Sequence, residues 1–449
     1  MRVHRTRLDP RKRRAGASRR KTPGASLDEK VRRAIGEKVV PGVAAALVRD
    51  GKTAFTGAWG LADLRRKRPV REDSIFQLAS LSKAITGVAA LQLFEQGRFG
   101  LDDPVSRHLG WELAHPRHKK KPITYRMLMT HTSGICDNWD VLDEHYVYDR
   151  DNPVRLGDFL RGYLERGGDE YDEDENFSED APGSAEDYSN VGVALLGHLV
   201  ERISGQDFAR YCADRIFAPL GMTSTTWIVS EVDRARLALP YIDRNEEDDE
   251  DEDDEDEGDY DDEDEEDEEE DEGDYDDEDE DEDDEDEEED DEDDEEDGDD
   301  EEEDDDEEEE DDDDEGDGRE VAPDWFTKGL YSTPDYPDGQ LCSTAPDLAR
   351  FFSAVMGWGG HARSPLLSEA TRKLLFQGSA LNEDQGLIWY RNEIDGRSLV
   401  GHEGDESGIT TCAWVDPSSR RAAIVLMNGV PPDDVDLQGE ITSLLLSMR

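Results

Sequence analysis

Three short stretches carry residue types whose spacing suits covalent catalysis. Ser80-Leu81-Ser82-Lys83 is an S-x-x-K. If it opens a helix, Ser80 and Lys83 share one face a turn apart, and the hydroxyl sits at the positive end of the helix dipole. A neutral lysine amine there could take the hydroxyl proton, provided burial and a second cationic or hydrogen-bonding group lower its pKa. Tyr188-Ser189-Asn190 adds a phenol that could relay a proton and an amide, Asn190, that could hold a substrate amide. His402-Glu403-Gly404 is followed by Asp405. Its glycine would let substrate lie close against a strand edge. The backbone N–H of Asp405 could then pair with that of Ser80 as an oxyanion hole.

Alone, each motif says little. Ser18-Arg19-Arg20-Lys21, Tyr390-Arg391-Asn392 and His108-Leu109-Gly110 repeat the same patterns elsewhere. Order and context distinguish the first set. Ser80, Tyr188 and His402 follow one another at wide separations, each at a junction between expected elements.

Those elements begin near Ser26. Ser26-Leu27-Asp28-Glu29 is a capping box, and Val31, Ala34 and Ile35 continue a helical apolar stripe. Val43 to Val48, Asp50-Gly51 and Thr53 to Trp59 read as a β-hairpin. Helices are expected over Ser80 to Gln96, Ser189 to Ser204 and Gly439 to Met448. Strand pattern returns at Ser398 to Val400, Thr410 to Val415 and Ala422 to Met427. Strands at both ends with helices between predict one sheet assembled from both ends, with a helical region, roughly 97–352, inserted into it.

With these segments the chain resembles the serine β-lactamase-related family: class C β-lactamases, low-molecular-weight penicillin-binding proteins and their esterase and D-peptidase relatives. Val40-Pro41-Gly42-Val43-Ala44, Phe76 to Lys83, Leu101-Asp102-Asp103-Pro104-Val105 and Leu128 to Gly134 read as family text. So do Leu220-Gly221-Met222, Gly339 to Thr344, Asp347-Leu348-Ala349 and Gly401-His402-Glu403-Gly404. The resemblance spans about Leu27 to Leu446, minus an acidic run. It implies an α/β domain with an antiparallel sheet beside an all-helical subdomain, and a site in the cleft between them. It implies Ser80 as acylated nucleophile, Lys83 and Tyr188 as the proton-transfer pair, and Asn190, His402 and Gly404 against the substrate. The implied activity is that of a serine hydrolase forming an acyl-enzyme on an ester, a small amide or a D-amino-acid peptide, with β-lactams possible. No metal or organic cofactor is required. His402 stands where many relatives carry lysine, which removes a permanent cation and weakens recognition of a β-lactam carboxylate.

Two departures bear on this. Asp405 and Glu406 follow Gly404, where relatives usually have small residues. Carboxylates beside an oxyanion hole disfavour developing negative charge unless they point away or pair with a cation. They motivate an alternative, a non-catalytic binding or scaffold protein on the same fold. The acidic segment Asp169 to Glu175 is read as a loop extension at the cleft mouth.

The charge balance narrows the partners. The 449 residues carry a formal net charge of −70. Of the 72 residues from Glu246 to Asp317, 66 are Asp or Glu, and the remaining 377 residues carry only −4. A nucleic-acid binder should be basic, so that class is disfavoured. The run repeats EGDYDDEDE at 257–265 and 272–280 and has almost nothing apolar to bury, so a solvated, disordered insert is expected. A polyanion of this kind could capture cations or basic proteins, which is a further alternative role. Residues 1–25 form a basic leader, expected to be disordered, with no apolar core of a signal peptide. No run is long and apolar enough to span a bilayer, and the cytoplasm follows by default. Cys136, Cys212, Cys342 and Cys412 lack metal-ligand spacing and read as reduced thiols.

Overall fold

A computed structural model describes residues 26–244, 325–359 and 365–449. The basic leader and the acidic insert fall outside the described residues. Ser26 caps α1 (Leu27–Gly36) as its sequence requires: its Oγ accepts from Glu29 N, and Glu29 Oε2 accepts from Ser26 N at 2.8 Å. The hairpin follows as β1 (Gly42–Arg49) and β2 (Lys52–Asp63), turning through Asp50 and Gly51, both at positive φ. A short β3 (Arg68–Pro69) pairs with the end of β2.

The other four strands come from the far end of the sequence: β4 (Tyr390–Ile394), β5 (Arg397–Glu406), β6 (Ile409–Asp416) and β7 (Arg421–Met427). Spatial order is β4-β5-β6-β7-β1-β2-β3, antiparallel throughout. The sheet is thus assembled from both ends, joined where β7 pairs with β1. The expected strand at 398–400 is longer than the sequence suggested. It runs through His402 to Glu406, so the third motif lies inside a strand, not at its start. β4 was not foreseen, because an edge strand alternating half-buried and exposed residues gives a weak apolar signal.

Directly paired residues point to the same face of a sheet. Ala44, Ala46, Ile424, Leu426, Ala413 and Val415 point to one face, into the large core shared with the inserted helices. Val43, Ala45, Val425, Met427, Cys412 and Trp414 point to the other, against Leu27 and Val31 of α1 and Ile441 and Leu445 of a final helix. Both faces are therefore dry, which explains why β1 and β7 read as continuous small and branched apolar runs.

On the first face lie α2 (Lys83–Glu95), α3 (Leu156–Leu164), α4 (Asn190–Ser204) and α5 (Ala345–Val355); α6 (Leu437–Ser447) covers the second with α1. α2 packs on α4, while α5 lies on β1, β2 and β7. Position 352, where the inserted region was expected to end, thus falls within a helix that covers the sheet. Ser80 does not open the α-helix as expected. Residues 79–82 form a 3-10 turn, and α2 begins at Lys83.

The turn is clamped by β5. A Cβ on Gly404 would stand 2.3 Å from Leu78 O and 2.7 Å from Leu81 N, both backbone atoms. Thr411, opposite Gly404 on β6, donates its hydroxyl to Leu78 O at 2.6 Å. Gly404 therefore makes room for the Ser80 turn itself, whereas the sequence reading gave that space to substrate. Gly404→Ala is expected to displace the turn and to destabilise the fold by about 1–3 kcal/mol, read as a lowered denaturation midpoint.

Candidate active site

Ser80 sits half-buried in the 79–82 turn, behind Ala79 at φ +48°. A left-handed alanine is strained, and here it immediately precedes the serine. Lys83, one turn on, has no solvent exposure. Its Nζ donates to Ser80 Oγ at 2.9 Å, to Asp338 O at 3.1 Å and to Asp338 Oδ2 at 3.2 Å. The Nζ also lies 5.1 Å from the Tyr188 ring centroid. The S-x-x-K spacing thus does bring hydroxyl and amine together.

Asp338 arrives on a segment docked against the start of α2. Thr86 donates to Pro337 O at 2.6 Å, Leu341 N donates to Ser82 Oγ at 3.2 Å, and Leu78 N donates to Leu341 O at 2.9 Å. The Tyr331 hydroxyl fixes Gly339 O at 2.7 Å.

Tyr188 and Asn190 come from the start of α4. Ser189 is the N-cap, and its hydroxyl accepts from Gly192 N at 2.8 Å. Asp137 accepts from Asn190 N at 2.8 Å and Val191 N at 3.0 Å, so a carboxylate neutralises the orphan donors of the first turn. His131 orients Tyr188: its ring stacks on the phenol with centroids 4.4 Å apart, and its Nδ1 accepts from Ser189 N at 3.2 Å. Asn190 Oδ1 is buried with no hydrogen-bond partner, a spare acceptor beside the cleft.

Electrostatics follow from burial and these contacts. Burial alone would push the Lys83 pKa down; negative charge at Tyr188 and Asp338, with Asp137 behind them, outweighs it, and the net shift is upward. Tyr188 contributes only when ionised, whereas Asp338 and Asp137 do so without it. Burial raises the Tyr188 pKa, opposed by the Lys83 charge and by hydrogen bonding to Ser80 and Lys83. Burial likewise raises Asp137 to about 6, against its two backbone donors.

His402 is 2 % exposed, and burial drives its pKa down to about 3. Its Nδ1 lies 2.5 Å from Glu403 O. A carbonyl can only accept, so Nδ1 carries the proton and Nε2 is a bare acceptor, with no partner of its own. Register resolves the two carboxylates after Gly404. Asp405 pairs with Thr410, on the face shared with Cys412 and Trp414, away from the face where Gly404 and Thr411 meet the Ser80 turn. Glu406 is on the turn's face, where its Oε2 accepts from the Tyr146 hydroxyl at 3.3 Å and its Oε1 from Ser407 N at 2.8 Å.

Sequence reasoning missed three members of this cluster. Asp338 stood one residue before a quoted segment, and His131 lay inside another without a role. Asp137 had no signal short of knowing where α4 starts in space. The Y-x-N repeat at Tyr390 also proves adjacent: the Tyr390 ring meets His402 edge-on at 5.2 Å.

Comparison with known proteins bears on the fold and the family. The family described as Beta-lactamase matches residues 27–445. Esterase EstB of Burkholderia gladioli is 34% identical over 230 residues, covering 49% of this chain and 55% of that protein. Protein flp of Staphylococcus aureus (strain MW2) is 31% identical over 188 residues, 42% of this chain and 35% of that protein. The chain thus spans about half or less of the length of these curated relatives. Among solved structures, the octameric penicillin-binding protein homologue of Pyrococcus abyssi superposes with TM-score 0.61 at 20% identity, covering 94% of this chain and 77% of that one. D-amino acid amidase of Ochrobactrum anthropi SV3, complexed with D-phenylalanine, gives TM-score 0.61 at 18% identity over 94% and 98%. A clamped Ser80–Lys83 turn between a two-ended antiparallel sheet and inserted helices, with a family match over nearly all the described residues, places this chain in the Beta-lactamase family.

Proposed function

We propose that this chain is a serine hydrolase that forms an acyl-enzyme on Ser80, with an ester or small amide as substrate. The observation that carries this reading is the 2.9 Å contact between Ser80 Oγ and a fully buried Lys83 Nζ, with Tyr188 over the same amine. Ser80 Oγ attacks the substrate carbonyl carbon. Its proton passes to the Lys83–Tyr188 pair, and the carbonyl electron pair collects on oxygen, facing the backbone N–H groups of Ser80 and Asp405. The same pair returns the proton to the leaving group, and water then releases the acyl group. Relatives named as an esterase and as a D-amino acid amidase support both substrate types. The reading of a non-catalytic scaffold loses one of its two motives, because Asp405 is turned from the Ser80 face, while Glu406 stays on it, bonded to Tyr146 and to Ser407 N.

Asn190 Oδ1 and His402 Nε2 supply acceptors, so they favour a substrate that donates hydrogen bonds, such as an amide or amine N–H. Nothing cationic replaces the lysine that relatives carry at position 402, and Asp338 and Glu406 add negative charge. A carboxylate-bearing substrate, the β-lactams included, is therefore a poor fit. All four cysteines are free, which suits a reducing compartment such as the cytoplasm.

Ser80→Ala should lower turnover of a p-nitrophenyl ester on the order of 10³-fold or more and abolish labelling by a fluorophosphonate probe; unchanged turnover would refute the assignment. Neutral or cationic esters should exceed carboxylate-bearing ones in kcat/KM by about tenfold or more. Lowering the pH from 8 to 5 should not rescue the anionic esters. The folded-state pKa of His402 is depressed from 6.5 to about 3, so the ring gains its charge only well below that range.

A further inference from the structure

Three hydrogen-bond acceptors lie within 3.2 Å of Lys83 Nζ: Ser80 Oγ, Asp338 O and Asp338 Oδ2. The Tyr188 hydroxyl is a fourth partner of the amine. An ammonium has three N–H bonds for the three acceptors, whereas a neutral amine has two, and even with its lone pair accepting from Tyr188 it would leave one acceptor unmatched. The side chain has no contact with water. A charge so placed is tolerated only when paired and fully hydrogen-bonded, and Asp338 supplies both the pairing charge and two of the three bonds.

We infer that Asp338 is the positioning residue of this site: its carboxylate holds Lys83 as a cation aimed at Ser80 Oγ. Lys83 then acts as a donor that orients and stabilises the serine oxygen. The Ser80 proton leaves on the other side, to Tyr188 as a phenolate, the form that the Lys83 charge favours against burial. This deepens the hydrolase reading and rests on Ser80 being the nucleophile. It reverses the expectation from sequence, in which burial and a second cationic or hydrogen-bonding group lower the pKa of a neutral Lys83. The second group is there, but it is a carboxylate and acts in the opposite direction.

The ion pair with Lys83 holds the Asp338 charge against burial and acidic neighbours. Lys83 faces it from α2, Glu406 from β5, Tyr188 from just before α4, Asp137 from the loop that binds the α4 amides, and Asp335 from its own loop, where Asp338 N donates to Asp335 O at 3.1 Å. Lys83 is the one cation among these five. Burial and the Asp338 charge push the Asp335 carboxyl well up. The Asp338 pKa is raised as well, by burial first, with the Lys83 charge and hydrogen bond opposing it.

The test combines ¹⁵N NMR of the Lys83 side chain with steady-state kinetics on the full-length protein. In the wild type, Lys83 Nζ should show an ammonium shift across pH 6–9, whether or not a substrate is known. In Asp338→Asn it should begin to titrate within that window. The ascending limb of kcat/KM should move to lower pH, because Asp338 raises the pKa of both Lys83 and Tyr188. The plateau kcat should fall about tenfold or more with KM within about twofold, and Asp338→Glu should restore part of it. A neutral Lys83 in the wild type, or an Asp338→Asn variant with an unmoved pH profile and unmoved Lys83 titration, overturns the inference. If Asp338→Asn does not fold, the wild-type signal together with Asp338→Glu decides. Retained turnover in Ser80→Ala would sink the hydrolase reading alone, leaving the NMR result to judge the Lys83–Asp338 pair.

Discussion

A lysine charge with no water around it is the constraint to which the centre of this structure answers. Removing an ammonium from water costs several kcal/mol after all relaxation, and a single contact does not offset that. Three separate parts of the chain converge to do so. α2 brings Lys83 with Ser80, the 335–341 segment brings Asp338, and the start of α4 brings Tyr188. Each arrival is enforced elsewhere: by Thr86 and Ser82 holding Pro337 and Leu341, by Asp137 on the α4 amides, and by Gly404 and Thr411 against Leu78. Removing one partner would leave an uncompensated buried charge, which is a far larger penalty than losing a surface pair.

The same arrangement explains why the strained alanine before Ser80 is tolerated. Its conformation costs on the order of 1–3 kcal/mol. The flanking residues leave no alternative, because Leu78 is bonded on both its N–H and its carbonyl, and Leu81 N abuts β5. Strain at the serine is thus held by the sheet, and the sheet is rigid because both of its faces are packed dry.

Much of this was legible in the residues. Ser26 and Glu29 marked α1, and the continuous apolar runs of β1 and β7 marked strands of one sheet. The spacing of Ser80 and Lys83 marked the meeting of hydroxyl and amine. These signals are local or periodic, and locality is what a sequence displays. What it hid was of two kinds. β4 was invisible because an edge strand need be apolar on one side only. Asp338, Asp137 and His131 were hidden because their roles depend on atoms 53 to 255 residues away, the largest being the Lys83–Asp338 separation. The glycine of the third motif was recognised as a position of close approach, but the approaching group was the chain's own turn. Nor could the sequence tell which way Asp405 points. That followed only from pairing with Thr410, since a shift by one residue in register would turn it to the other face.

The clamp on Leu78 has a consequence for how the protein matures. The hydroxyl that holds its carbonyl belongs to Thr411, 333 positions further along. β1 likewise finds its partner in β7. A chain emerging from the ribosome can fold the 83–95 helix early, yet it has no means of setting the turn before that helix until residues 397–427 have appeared. Contacts so distant in sequence form slowly, and the unpaired edge of β1 stays open in the interval. The turn that carries Ser80 is therefore not set ahead of the strands that restrain it.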